Sequence, residues 1–301
     1  MNIIFISDKK YIIQSTVMLQ SVFNNNNNVS QIFLLSTDIN LDDLKVLINL
    51  CKKYNSKLHL ISIDETELNI YDKIGPWSKY TFIKILIPRV IPKEIKKAIF
   101  LDVDMIVLDN LNTVYTQCSD EKSLYGVEDI PFSILHKDRC GIDYDSPYIN
   151  SGFMVINLDK WREAYNKGQF EEFVKKNKGK MPFINDQDVI NYVFQHDIGC
   201  LPYRYNVTNQ AFGLHNKIIK KYPSVWKEGR KNPAIIHFTN SRKPWVPEVC
   251  HPYKKYWIKC LKQTEYSIYI NKFKSYNIKW FNNYIKNKVA LIVDFIRFKF
   301  L

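Results

Sequence analysis

Several patterns that would settle the class of this 301-residue chain are missing from it. Its six cysteines, Cys51, Cys118, Cys140, Cys200, Cys250 and Cys260, contain no C-x-x-C pair. That excludes the common zinc and dithiol motifs, and thiols scattered through a chain of this length predict a reducing cytoplasm. No apolar run is long enough to span a membrane. Met1 to Asp8 lacks the layout of a signal peptide and reads as a first strand. No internal repeat is visible, which argues against a solenoid. Asn28-Val29-Ser30 and Asn206-Val207-Thr208 match a glycosylation sequon, and without a secretory signal both are read as chance.

What the chain does have is positive charge and apolar bulk. The formal net charge is +13, and 46% of residues are hydrophobic, enough for a sizeable core in one large α/β domain. The basicity could serve nucleic acid, an anionic membrane surface or phosphorylated ligands. It could also reflect the same compositional bias as the run Asn24 to Asn28. Where the charge sits is therefore more informative than its sum. Aromatics make up 14% of the chain, which suits ring-shaped ligands but is explained as readily by a ring-rich core.

The first half alternates strand and helix. Asn2 to Ser7, Ile32 to Leu35, Leu58 to Ile63 and Ala98 to Leu101 are short apolar runs. Tyr11 to Phe23, Leu41 to Lys53 and Tyr80 to Leu86 read as helices between them. Such alternation predicts an α/β fold, a mostly parallel central sheet with helices on both faces. The second half is less regular, with strands at Phe153 to Ile156 and Ala234 to Phe238. A helix starts at Leu158, and another runs from near Asp186 to about Phe194.

The strand at Ala98 to Leu101 ends in Asp102-Val103-Asp104. Ligands of open α/β sheets bind at the carboxyl ends of strands, so two acids there are a functional candidate. Paired carboxylates with open positions suit Mg²⁺ or Mn²⁺ on a diphosphate. D-x-D triplets are common, however, and most carry no metal. His237 lies in an apolar strand, where a hydrogen-bonded core histidine is the usual occupant. Joined to the two aspartates, its imidazole would favour Mn²⁺ over Mg²⁺. Lys243 could neutralise a phosphate or stand solvated on the surface.

Five blocks extend this picture: Ser7-Asp8 to Tyr11, Phe100 to Asp104, Tyr148 to Phe153, Asn185 to Asp188, and His237 to Trp245. In this order and spacing they resemble glycosyltransferase family 8, over about Met1 to Lys262. The resemblance implies a GT-A-type nucleotide-sugar-binding fold and a retaining hexosyltransferase. The donor would be UDP-galactose or UDP-glucose and the acceptor a saccharide, lipid-linked or protein-linked. It further implies that Asp8 and Tyr11 hold the base, and that Asp102, Asp104 and His237 ligate Mn²⁺, with Mg²⁺ as the alternative. Lys243 would contact the leaving diphosphate. Val103 and Ser151 would line the donor site, and Asn150, Asp186 and Gln187 would face the transferred sugar. Asp129 aligns with an acidic sugar-site position. Asp186 could equally be a helix cap or first-turn acid, and Asp188 an ordinary helix residue. Gln187 is an amide where a double displacement would want a carboxylate, which favours same-face attack.

Two positions depart from the family. Asn240 stands where glycine is usual, and asparagine is the side chain that best tolerates a left-handed backbone. Lys84 stands where many members carry arginine and lacks the bidentate fork.

The last segment differs in character. Residues 265–301 are read as a basic amphipathic helical tail appended to a catalytic domain of residues 1–264. From Tyr266 onward seven Lys or Arg face only Asp294. Phe281, Ile285, Val289, Ile292, Ile296 and Phe300 recur at helical spacing. Docking on an anionic inner-membrane surface is the expectation, with packing on the catalytic domain or self-association as the alternatives. Two other readings of the chain are a nucleotide-sugar hydrolase on the same fold and a basic nucleic-acid-binding protein. Basic residues concentrated in the tail, with no recognition motif, argue against nucleic acid.

Overall fold

A computed structural model describes residues 1–71, 79–130, 133–181, 184–209, 223–247, 249 and 251–270. The tail beyond residue 270, with its apolar stripe, lies outside the described residues.

The apolar runs become strands because each is covered on both sides. In β1 (Asn2–Ile6), Ile4 faces one core with Phe33 and Phe100, while Ile3 and Phe5 face a second core with Met18 and Leu34. This alternation lets one strand serve two layers of helices. β2 (Gln31–Ser36) and β3 (Lys57–Ser62) follow in parallel on one side of β1. The chain then crosses back, and β4 (Lys97–Leu101) pairs in parallel on the other side of β1. β7 (Ile149–Asn157) joins β4 antiparallel, followed outward by β6 (Leu124–Glu128) and β8 (Ile198–Cys200). Among the described residues the sheet has seven strands, in the order β3-β2-β1-β4-β7-β6-β8. The reversal between β1 and β4 opens a crevice at their carboxyl ends, which end in Asp8 and Asp102.

A second, three-stranded sheet closes the other wall. β5 (Met105–Val107) pairs antiparallel with β10 (Ile235–His237), and β9 (Val207–Thr208) adds in parallel. β5 follows β4 after only three residues, so Asp102 and Asp104 are strung between the two sheets.

Helices lie on both faces, as expected, with two differences in detail. α1 spans Ile12–Asn25, but α2 begins at Lys45 rather than Leu41. Asn40 and Asp43 exchange side-chain-to-backbone hydrogen bonds, so residues 40–43 form a turn, and Leu41 is 70% exposed. α3 (Ile83–Val90) starts after a 3₁₀ turn and continues through Pro88.

The helix α5 (Asp186–Val193) begins with a reciprocal capping box between Asn185 and Asp188. The N-cap is thus Asn185, leaving Asp186 in the first turn. Asp188 is no ordinary helix residue. It is fully buried, accepts from the Tyr148 hydroxyl at 2.6 Å, and pairs with Arg139 of α4 (Ser133–Cys140). One carboxylate thereby caps α5 and fastens it to α4 and to the residue that leads into β7. Among the described residues no helix is long and apolar enough to cross a membrane.

Removing one partner of a buried ion pair costs about 3–5 kcal/mol. Asp188→Ala is therefore expected to lower stability by that amount in urea unfolding at neutral pH. A loss below about 1 kcal/mol, the range of an exposed pair, would show that Asp188 does not anchor the helix.

Candidate active site

The crevice widens into a cavity of about 810 Å³. It is lined by Asp8, Tyr11, Lys84, Asp102, Val103, Asp104, Asp129, Asn150, Ser151, Asp186, Gln187, His237, Asn240 and Lys243. Every site residue expected from the sequence lies on this one surface.

Backbone pairing delivers the three metal-ligand candidates. The Asp102 N–H donates to the Gly152 carbonyl at 2.9 Å, extending the β4–β7 ladder by one rung. The Phe238 N–H donates to the Asp104 carbonyl at 2.9 Å, continuing the pairing that sets His237 opposite Met105. His237 Nε2 consequently lies 3.1 Å from Asp104 Oδ1 and 3.8 Å from Asp102 Oδ2. One ligand atom from each residue falls within 4.8 Å of the others. Bonds of about 2.1 Å at right angles put neighbouring ligands about 3 Å apart, so this spacing suits a hard divalent ion. Asp104 Oδ1 is buried and has no hydrogen-bond partner among the described residues. Such an orphaned acceptor beside an imidazole nitrogen fits a cation between them.

Gly152 makes that convergence possible. A Cβ there would stand 2.8 Å from Asp102 Oδ2 and closer still to His237 Cε1. Any side chain would occupy the space between two of the ligands.

Two lysines balance the acids. Lys84 is buried, 3.1 Å from Asp102 Oδ1 and 3.0 Å from Asp186 Oδ2, and it also donates to the Ser151 hydroxyl and carbonyl. Burial disfavours its charge, yet the two carboxylates outweigh burial and raise its pKa. Lys243 pairs with Asp104 Oδ2 and donates to the Phe238 carbonyl at 2.7 Å. For Asp104 burial works upward, but His237 and Lys243 prevail and hold the carboxyl below its usual range. For Asp102 burial dominates, and with the charge of Asp104 it raises the pKa against the pull of Lys84.

The opposite side of the cavity is built of amides. Gln187 Oε1 accepts from the Ser151 N–H at 3.1 Å and from Asn150 at 3.2 Å. Gln187 Nε2 donates to Asp129 Oδ2 at 2.9 Å, and the Ser151 hydroxyl donates to Asp186 at 3.0 Å. At the far end, Asp8 caps the turn after β1 by accepting from the Tyr11 N–H. Tyr11 is 39% exposed and lies edge-on to Trp245, ring centroids 6.0 Å apart. Asn240 has φ +59°, so the left-handed backbone expected of a glycine is kept by asparagine.

The sequence profile described as Glycosyl transferase family 8 matches residues 2–248. The chain belongs to that family. Among relatives, glycosyltransferase GlyD of Streptococcus pneumoniae is 27% identical over 85% of this chain and 30% of its own length. The family 8 chain thus spans less than a third of that protein. A lipopolysaccharide 1,2-glucosyltransferase of Escherichia coli is 24% identical over 79% of this chain and 71% of that one. Among solved structures, galactosyltransferase LgtC in complex with donor and acceptor sugar analogues superposes with a TM-score of 0.75. At 17% identity it covers 88% of this chain and 96% of LgtC, which establishes the shared GT-A-like fold. Membership implies a nucleotide-sugar donor and a glycan acceptor.

Two polar residues of this family 8 site carry no readable signal in the sequence. His136 lines the cavity, stacks on Tyr148 at 4.9 Å and faces Arg139 through Nδ1 at 2.9 Å. Burial lowers its pKa, assisted by Arg139 and opposed by Asp188. Asn206, conspicuous in the sequence only as a sequon, is 1% exposed and bridges His237 and Asn150. A side chain so buried is closed to glycosylation.

Proposed function

We propose that the chain is a retaining hexosyltransferase that moves galactose or glucose from a UDP donor to a saccharide acceptor, with Mn²⁺ at Asp102, Asp104 and His237. The observation that carries this reading is the convergence of two carboxylates and an imidazole beside an amide-lined pocket. A divalent cation held there would neutralise charge gathering on the donor's diphosphate as the sugar leaves.

The remaining work falls to the chain's own groups. Asp8 offers a carboxylate to the uracil N–H, and Tyr11 offers a ring face for stacking. Lys243 pairs with Asp104 Oδ2 beside the metal-ligand candidates, and turning away from it would let its amine take a phosphate oxygen. Asp186 and Asp129 offer carboxylate oxygens to sugar hydroxyls, with Lys84 and Ser151 holding Asp186 in place. Gln187 is a poor nucleophile, and its oxygen already accepts two hydrogen bonds. That favours attack by the acceptor hydroxyl on the face the diphosphate leaves. The new C–O bond forms as the old one breaks, and the hydroxyl proton passes to the departing phosphate oxygen.

A screen of UDP-sugars with and without acceptor tests this reading. Turnover is expected to need Mn²⁺, to stop with chelator, and to fall at least 100-fold, roughly the worth of one charge-stabilising contact, in Asp104→Asn. NMR of the product should show an α-linkage from an α-linked donor. A β-linkage would overturn retention, and release of free sugar alone would indicate a hydrolase.

The basic tail extends the proposal to the acceptor. Each basic side chain near an anionic surface contributes about 1 kcal/mol, and the apolar stripe from Phe281 to Phe300 would add burial in the lipid interface. Peripheral docking on the cytoplasmic face of the membrane would bring the cavity to a lipid-linked acceptor. Full-length protein should sediment with anionic vesicles at low salt, whereas a chain ending at residue 270 should not. Equal sedimentation of the two would contradict a role for the tail.

A further inference from the structure

The hydrogen bonds around Asn206 can be oriented without ambiguity, because the network ends on groups whose roles are fixed. A backbone N–H can only donate, and an ionised carboxylate can only accept. The Gly152 N–H reaches the Asn150 side chain at 3.1 Å, so the atom it meets there is the oxygen. The Ser151 N–H meets Gln187 at 3.1 Å, so that atom too is an oxygen. Asp129 accepts at the other end of Gln187, which agrees with the same orientation. With its oxygen turned to Gly152, Asn150 receives a second hydrogen bond at 2.9 Å, and only the Asn206 amide nitrogen can supply it. The Asn206 oxygen must then face His237 Nδ1, 3.0 Å away. An oxygen opposite Nδ1 requires the ring proton on Nδ1. In the neutral ring Nε2 is then the nitrogen without a proton, the one that faces Asp102 and Asp104 and could ligate a cation.

We propose that Asn206 is a positioning residue that fixes His237 as the Nδ1–H tautomer, and that the Asn206–Asn150 bond ties the metal site to Gln187. The inference rests on the metal reading above for its consequence, though not for the tautomer itself. Placement in the fold supports it. Asn206 immediately precedes β9, whose Thr208 pairs with His237 of β10, and its own N–H donates to the Tyr203 carbonyl at 3.0 Å. The side chain is therefore held by backbone on both sides and is closed off from water, where a satisfied polar network is worth most. Metal-ligating histidines generally need such a partner on the second nitrogen, and losing it weakens metal affinity about 10- to 100-fold. Here the partner does more than accept. Its amide nitrogen occupies one lone pair of Asn150, whose own amide nitrogen holds Gln187. One asparagine thus orients the imidazole and, through Asn150, the amide at the sugar site.

Two measurements on the full-length chain test this. Long-range ¹H–¹⁵N spectra without metal, recorded at a pH where the ring is neutral and with His237 assigned by comparison with His237→Gln, should show a protonated Nδ1 and a bare Nε2. A protonated Nε2 in the neutral ring would overturn the proposal with no variant of Asn206 required. Mn²⁺ titrations in the presence of UDP should then weaken about 10- to 100-fold in Asn206→Ala, in a chain that keeps its circular dichroism. Asn206→Asp should preserve the tautomer, since a carboxylate still accepts from Nδ1–H, yet lower kcat, because it cannot donate to Asn150. Unchanged affinity in Asn206→Ala, or unchanged kcat in Asn206→Asp, would contradict the corresponding half of the claim. If the wild type binds no Mn²⁺ with UDP, the metal reading fails while the tautomer result stands.

Discussion

Negative charge gathered where two strands meet the first turn of a helix is the constraint that shapes this protein. Asp102, Asp104 and Asp186 share one partly buried surface, where carboxylates cannot all ionise without counter-charge. Lys84 spans Asp102 and Asp186, and Lys243 holds Asp104. Those pairings let the acids persist in the fold, and among the described residues they leave Asp104 Oδ1 without a hydrogen bond, 3.1 Å from His237 Nε2. A site of this kind is stable as it stands and still offers a cation something to bind.

Secondary structure is subordinate to that arrangement. The parallel half of the sheet opens the crevice, the antiparallel β4–β7 pair brings Gly152 beside Asp102, and the small second sheet brings His237 beside Asp104. Helix α5 presents Asp186 and Gln187 at its first turn, the end where backbone N–H groups favour anionic ligands. Its foundation is Asp188, which uses its charge for capping and for Arg139 rather than for chemistry.

Much of this was legible in the chain itself. Strands buried on both faces declare themselves as continuous apolar runs, so β1, β2, β4 and the middle of β7 stand out. Asp102 and Asp104 are readable because an apolar run stops abruptly at acids. The five blocks single out residues that prove to share one cavity. What escaped has a common physical cause. β5 and β9 have three and two residues, too few for any period to register. The start of α2 was obscured because Leu41 fits the helical spacing, while Asn40 and Asp43 close a turn around it. Asn206 and His136 owe their places to long-range packing, and nothing in their local sequence reports it.

Anomalous diffraction at the manganese edge, from crystals grown with UDP and Mn²⁺, bears most directly on the central claim. The account predicts a single strong peak bounded by an oxygen each from Asp102 and Asp104 and by Nε2 of His237, with the diphosphate on its open side. A peak away from these three residues, or UDP bound in the cavity with no metal peak, would contradict it.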